Sequence, residues 1–490
     1  MNLVKQLLCV TLCISASLGA TVLAADTPDW DEMIAPEALQ EDLTALYEGL
    51  RESHPDLFAH RSKTEYDAKF KSMLNSLDEP LSRFDAQLML QRFAAYGNVA
   101  HARIEFPNEA FAEFRDNGGK TLPIYPRIVD GTAYVGTNFS DELGIQAGDE
   151  IVAINGRPMD EWLTTVAELS SADTPYIAHS LLEFTFPRDL WAVIGEQATF
   201  ELTVRRDGDL RTISIDATTQ AAQDKVAEGR EEDSGLDAYA RSFRMIDDNI
   251  AYLRPGPFYN VENPTELWDN SAFIAFIDRA FTHFIDQDAD ALVIDLRQNP
   301  GGDNSFSDPM LSWIADREFR FYDEFLIRSS DAAAAANAER LDTRPGAAES
   351  VSAMFAREYA RVPRGESFAF ELPFAQPRAD DRFEGDVYAL INRHSFSNAV
   401  SVAAIIQDYE FGIVAGEKTS DMATTFGAME QFTLPRTGIA VGFPKAHIIR
   451  PSGDRKTDGV TPDWPINSPI VEGANDIVLD QLVERIRTTG

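Results

Sequence analysis

A chain of 490 residues exceeds the roughly 250–300 residues at which a single core stops growing, so two or three folding units are expected. Hydrophobic residues make up 44% and charged residues 25%, which excludes a disordered or fibrous chain. Asp and Glu number 80 against 43 Lys and Arg, a formal net charge of −37, and such a surface argues against nucleic acid and anionic lipid as partners.

Residues 1–25 read as a secretory signal peptide. Lys5 supplies the positive start, Leu7 to Leu18 the apolar stretch, and Val22-Leu23-Ala24-Ala25 a small-residue cleavage site. The alternative is a membrane anchor, which Ser15, Ser17, Gly19 and Thr21 weaken. Both cysteines, Cys9 and Cys13, fall in this segment, so the mature chain would have no disulfide and no cysteine nucleophile. A periplasmic or secreted protein without a membrane span after cleavage is expected.

Residues 26–118 read as a helical domain. Leu39, Leu43, Leu46 and Leu50 recur on one face of a helix predicted over Pro36–Ser53, with further helices over 67–77 and 83–96. Residues 122–218 change to short strands, including 133–135, 151–154, 200–204 and 210–215. Asn155-Gly156 and Asp207-Gly208 supply the positive φ angles of tight turns between strands. The run Leu143-Gly144-Ile145-Gln146-Ala147-Gly148-Asp149-Glu150-Ile151-Val152-Ala153-Ile154-Asn155-Gly156 resembles the core signature of a PDZ domain, which takes an extended peptide at a sheet edge. The connection from Asp160 to Ala198 is longer than a usual PDZ connection. Residues 224–234 read as a charged linker, and from about 240 to 490 strands alternate with helices as in an α/β domain. Ala332–Ala336 reads as an exposed helix or lid.

Two strand–helix junctions carry the candidate chemistry. In the first, the apolar strand Ala291–Arg297 leads into Gln298-Asn299-Pro300-Gly301-Gly302-Asp303, with a helix predicted to begin at Pro309 behind Asp308. Paired glycines let backbone N–H groups turn toward an anion; taken alone they also suit a plain tight turn. In the second, the strand 386–391 leads through Asn392-Arg393-His394-Ser395-Phe396-Ser397-Asn398-Ala399 into a helix ending near Asp408. Ser397 would stand at that helix's N-terminus, where N–H groups favour negative charge, although an N-cap serine has the same address.

These junctions, followed in order by Gln407-Asp408-Tyr409, Gly416-Glu417-Lys418-Thr419 and Gly459-Val460-Thr461-Pro462-Asp463, resemble the C-terminal-processing and tricorn-core serine peptidases over about residues 249–470. The resemblance implies a ClpP/crotonase-like α/β catalytic domain beside the helical and mainly-β PDZ-like domains. It puts the nucleophile on Ser397, with oxyanion N–H groups from Gly301 and Asn398. The Ser–Lys members carry a lysine where this chain has Met422, and Lys418 is displaced from that position. The tricorn-like members use a histidine instead, matched here by His101 within Gly97-Asn98-Val99-Ala100-His101-Ala102-Arg103-Ile104. Asp458, with Asp454 behind it, is the candidate orienting carboxylate. His54, His60, His179, His283, His394 and His447 show no metal-ligand spacing, so no cofactor is implied. The expectation is a secreted serine endopeptidase acting on protein or peptide substrates, with a catalytically inactive peptide- or ligand-binding protein of the same fold as the alternative.

Overall fold

The computed structural model describes residues 28–228, 236–341, 350–471 and 473–489. The predicted signal peptide with both cysteines, and residues 229–234 of the predicted linker, lie outside them. Among the described residues no helix is long and apolar enough to cross a membrane.

The first helix runs from Pro36 to Ser53 with proline in its first turn, where the missing N–H costs nothing. Its leucine stripe, Leu39, Leu43, Leu46 and Leu50, is wholly buried. Helices Lys63–Ser76 and Arg83–Ala95 follow, the first opened by a capping box between Ser62 and Glu65 and the second by the Ser82 side chain. These helices share one core with a four-stranded antiparallel sheet in the order 367–369, 324–328, 440–449, 425–433. Asp42 ties the two parts together by accepting the N–H groups of Arg436 and Thr437, each at 2.8 Å.

The second unit is an antiparallel sheet in the order 124–129, 132–138, 150–154, 199–206, 209–216 with its own core. Asn155 and Asp207 do take positive φ, 51° each, and their following glycines do too. The long connection is two helices, Met159–Ala167 and Pro175–Ile194. The second lies against the edge strand Ile124–Val129, where its Glu183 accepts the Ile128 N–H at 2.8 Å.

The third unit is a six-stranded sheet in the order 242–245, 250–254, 291–295, 386–391, 413–416, 464–465, parallel except for its first strand. Strand Ala291–Asp295 is buried on both faces: Leu292 and Ile294 point into a core with helices Ser271–Asp286 and Asn398–Asp408, and Val293 into one with helix Ile477–Thr489.

Three expectations are corrected. The helix after the glycine pair spans Asn304–Leu311 behind an Asp303 cap, and Pro309 lies inside it. The Ser305 carbonyl that Pro309 leaves without its helical N–H is taken by Asn270 Nδ2 at 2.7 Å. The charged stretch from Asp224 is not all linker, because helix Gln220–Glu228 continues through it. The alanine-rich segment is the largely exposed helix expected, Asp331–Glu339, but Ala333 and Asn337 dock it rather than leave it a free lid.

Candidate active site

The two junctions meet at the carboxyl ends of neighbouring parallel strands. Strand Ala291–Asp295 ends on a fully buried carboxylate. Burial alone would raise the Asp295 carboxyl, but the charges of Arg297 and Arg254 and the Tyr252 hydroxyl hold it at about 2. Arg297 also grips Asp476 with both terminal nitrogens, at 2.9 and 2.6 Å, which fixes the start of the glycine loop. Loop is then fastened to loop. Phe396 N–H donates to the Asn299 carbonyl at 2.9 Å, Ser395 Oγ to the Leu296 carbonyl at 2.8 Å, and Gln298 N–H to Asn392 Oδ1 at 3.1 Å.

This arrangement puts Ser397 directly before helix Asn398–Asp408, at φ 51° and ψ −123°, with no capping hydrogen bond from its side chain. A plain N-cap serine has an extended backbone and a capped N–H; this one has neither. It is exposed, whereas Asn398 and Ala399 behind it are buried. Gly301 lies against it so closely that an added Cβ would come within 2.7 Å of Ser397 Cβ and 2.8 Å of Asn398 N. Asn398 N–H is the first of the helix's four N–H groups that have no carbonyl inside the helix. The Gly301 N–H is committed in this state, donating to Asn299 Oδ1 at 2.9 Å.

His101 lies in the turn after helix Arg83–Ala95, and its backbone is anchored by the next residue but one. Arg103 and Gly442 exchange both backbone hydrogen bonds, at 3.0 and 2.8 Å. The ring is half-buried and its Nδ1 has no hydrogen-bond partner. Burial pushes its pKa below the ordinary histidine value, so the ring is neutral near pH 7. The charge of Asp421 opposes that shift, Arg103 adds to it, and Asp173 and the Phe426 carbonyl also oppose it.

Asp421 is the residue that sequence reading missed. It is buried, accepts the Ser397 N–H at 2.6 Å and the Met422 N–H at 2.8 Å, and is the charge that acts most strongly on His101. Burial pushes its carboxyl up, against the pull of His101 and the two N–H groups. The signal lies in Thr419-Ser420-Asp421-Met422, a carboxylate one residue before the position at which the Ser–Lys members carry their lysine.

Asp458, the candidate orienter, instead pairs with Lys418 and accepts the Gly459 N–H at 2.9 Å, and its side chain is 58% exposed. Asp454 accepts from Lys456 N–H at 3.1 Å. Neither hydrogen-bonds His101 among the described residues. Met422 is buried and bridges to Gly459, and Lys418 is held by Asp458, so no lysine faces Ser397 through these contacts. Among the described residues no group of three or more His, Cys, Asp or Glu side chains is placed to hold a metal ion.

Residues 267–466 match peptidase family S41. Among solved structures, mature CPAF complexed with lactacystin superposes with a TM-score of 0.61 at 16% identity, over 92% of this chain and 97% of that one, and so shares the fold. The photosystem II D1 C-terminal processing protease gives 0.43 at 15% identity over 88% and 93% of the two chains. The tricorn protease gives 0.39 at 12% identity over 92% of this chain and 37% of that one. No curated protein matches the sequence.

Proposed function

Residues 267–466 belong to peptidase family S41 and make the chain a serine peptidase, and on that premise we propose that it cleaves exported proteins or peptides through an acyl-enzyme on Ser397 with His101 as general base. The observation that carries this reading is Asp421, one buried carboxylate that holds the Ser397 N–H and whose charge acts on His101. A serine hydroxyl is a weak nucleophile until a base takes its proton. Neutral His101 would accept the Ser397 Oγ proton as oxygen attacks the scissile carbonyl, with Asp421 favouring the imidazolium that forms. Asn398 N–H would receive the oxyanion together with the glycine loop, once Gly301 exchanges Asn299 Oδ1 for the substrate oxygen. His101 would then protonate the leaving amine, and water would release the acyl group by the reverse path.

The catalytic unit reads as ClpP/crotonase-like and the second unit as PDZ-like. We assign the PDZ-like unit to gating rather than to holding a tail in this state. Both backbone groups of Ile128 on its edge strand are taken, by Glu183 and Arg393, and Pro126 beside it offers no N–H. An added strand would have to displace both side chains. The signal peptide read in residues 1–25 would send the mature protein to the periplasm or outside the cell.

A fluorophosphonate probe tests the mechanism, because it reports an activated serine without needing the substrate. Purified mature protein should label at Ser397 and lose labelling in Ser397→Ala. In His101→Ala the rate should fall by roughly a hundredfold to ten-thousandfold, the usual contribution of a general base. Unlabelled but folded wild-type protein would favour the binding-protein alternative.

A further inference from the structure

The connector between helices Met159–Ala167 and Pro175–Ile194 belongs to the second unit, yet it reaches across to the histidine segment of the first. Asp173 Oδ2 accepts the Ala100 N–H at 2.9 Å. Ser171 Oγ donates to the Ala102 carbonyl at 2.8 Å. The residues before and after His101 are therefore gripped from one side by side chains two positions apart. The connector is itself anchored, because Gln91 Nε2 donates to the Leu169 carbonyl at 2.5 Å and Thr174 caps the following helix.

Asp173 has more than a backbone role. Its side chain is 1% exposed, and Oδ1, with no hydrogen-bond partner, lies 3.6 Å from His60 Nε2. A buried carboxylate with only one N–H and a distant imidazole is expensive to keep as a mere loop anchor; an asparagine would hold the Ala100 N–H without burying a charge. Its field reaches His101, where it favours the protonated ring, as Asp421 does more strongly.

We propose that Ser171 and Asp173 form a clamp from the PDZ-like unit that positions His101 for proton transfer from Ser397. The inference rests on the Ser397–His101 reading above and extends it. It makes the base a shared property of two units: the first supplies the ring and the second its aim. The groups that face the ring are Asp421 from the loop after strand Ile413–Gly416, Asp173 from the connector, Arg103 from its own segment and the Phe426 carbonyl. His54 interacts electrostatically with His60, His101 and His447, and burial, the largest cause, pushes it well below the ordinary histidine value. His60 is raised by its pairing with Asp173, so it carries charge at mildly acid pH and shares Asp173 there.

The test is the pH dependence of fluorophosphonate labelling in the full mature chain. Ser171→Ala and Asp173→Ala should slow labelling by on the order of tenfold to a hundredfold, the scale on which an ångström of misplacement is felt. Asp173→Asn still accepts the Ala100 N–H but has no charge. It should keep most of the rate at neutral pH while its acid limb moves to lower pH, since a negative charge that favours protonated His101 is gone. An Asp173→Asn profile superposable on wild type would overturn the electrostatic role of Asp173. Wild-type rates in both Ser171→Ala and Asp173→Ala would overturn the clamp. Should Asp173→Ala fail to fold, Ser171→Ala and Asp173→Asn decide. Wild-type labelling of His101→Ala would instead sink the catalytic reading itself, whereas loss there beside unchanged clamp variants removes the clamp alone.

Discussion

Ser397 occupies a backbone region that a side chain enters at a cost of about 1–3 kcal/mol, and its φ of 51° is one of the few positive values held by a non-glycine residue outside a turn aspartate or asparagine. The surrounding bonds maintain it: Asp421 on its own N–H and the Phe396–Asn299 bond one residue earlier. Glycine would relieve the strain, though it adds roughly 0.5–1 kcal/mol of backbone entropy to the unfolded chain. Ser397→Gly should therefore match or exceed Ser397→Ala in stability by up to about 2 kcal/mol in urea unfolding while both fail to label. A Ser397→Gly protein clearly less stable than Ser397→Ala would mean the serine backbone is unstrained. At this scale the sequence was informative where chemistry and local element coincide. Ser397, Gly301 and Asn398 sit on strand–helix junctions whose hydrophobic runs announce them, and the structure brings these three together. Asp421 and Asp173 were not legible. Each acts through a contact with a loop far away in the chain, and no period or spacing records such a contact. Asp458 stands next to a motif in sequence, but its side chain is spent on Lys418.

At the scale of elements, helix Pro175–Ile194 joins the second unit to the nucleophile loop through Glu183. That carboxylate is 2.8 Å from Arg127 Nη1, 2.9 Å from Arg393 Nη1 and 3.0 Å from His394 Nε2, and it is 7% exposed. Arg393 and His394 lie only a few residues before Ser397, so the ion cluster also sets the loop that carries the proposed nucleophile. Burial by itself would raise Glu183, but the His394 hydrogen bond and the charges of His394, Arg127 and Arg393 bring it from 4.5 down to about 2. A carboxyl with a depressed folded pKa stabilises the protein above its unfolded pKa and loses that contribution as pH falls through the folded value. Glu183→Gln should cost about 3 kcal/mol at pH 7, the lower end of the range for breaking a buried pair, because Glu417 still neutralises Arg393. The difference from wild type should shrink between pH 4.5 and about 2. Denaturant titrations at pH 7 and pH 3 would check both points, and equal stabilities at pH 7 would show the cluster to be energetically idle. The unusual length of residues 160–198 is legible in the sequence, but its use is not. A helix whose partner face belongs to another unit shows only its own amphipathic stripe in the sequence.

Across the whole molecule, the division into units that the sequence suggests is not the division of its cores. The leucine stripe of Pro36–Ser53 and the aromatic residues Tyr66 and Phe93 pack in one cluster with Tyr322, Phe325, Phe368, Val441 and Phe443, some 300 residues away. The strands that read as a mainly-β unit do keep a core of their own, from Leu122 to Ala217. Local periodicity finds which face of a helix is buried; it cannot say against what. A shared core has a thermodynamic consequence. Neither the first helices nor the four-stranded sheet can open without exposing the apolar surface of the other, at about 25 cal/mol per Å². Regions that open together exchange their amides with one common free energy, whereas independent cores give separate values. Native-state hydrogen exchange should therefore return the same opening free energy for the Leu43 and Val441 amides, and permit a different one for Leu202 in the second unit. A lower value for Leu43 than for Val441 would show that the helices peel away from the sheet. Such peeling would also strain the paired Arg103–Gly442 bonds that hold the His101 segment to the sheet, and so loosen the placement of its ring. The cooperativity of this core thus bears on the candidate site, because His101 and Ser397, the proposed base and nucleophile, come from segments that only tertiary packing holds together.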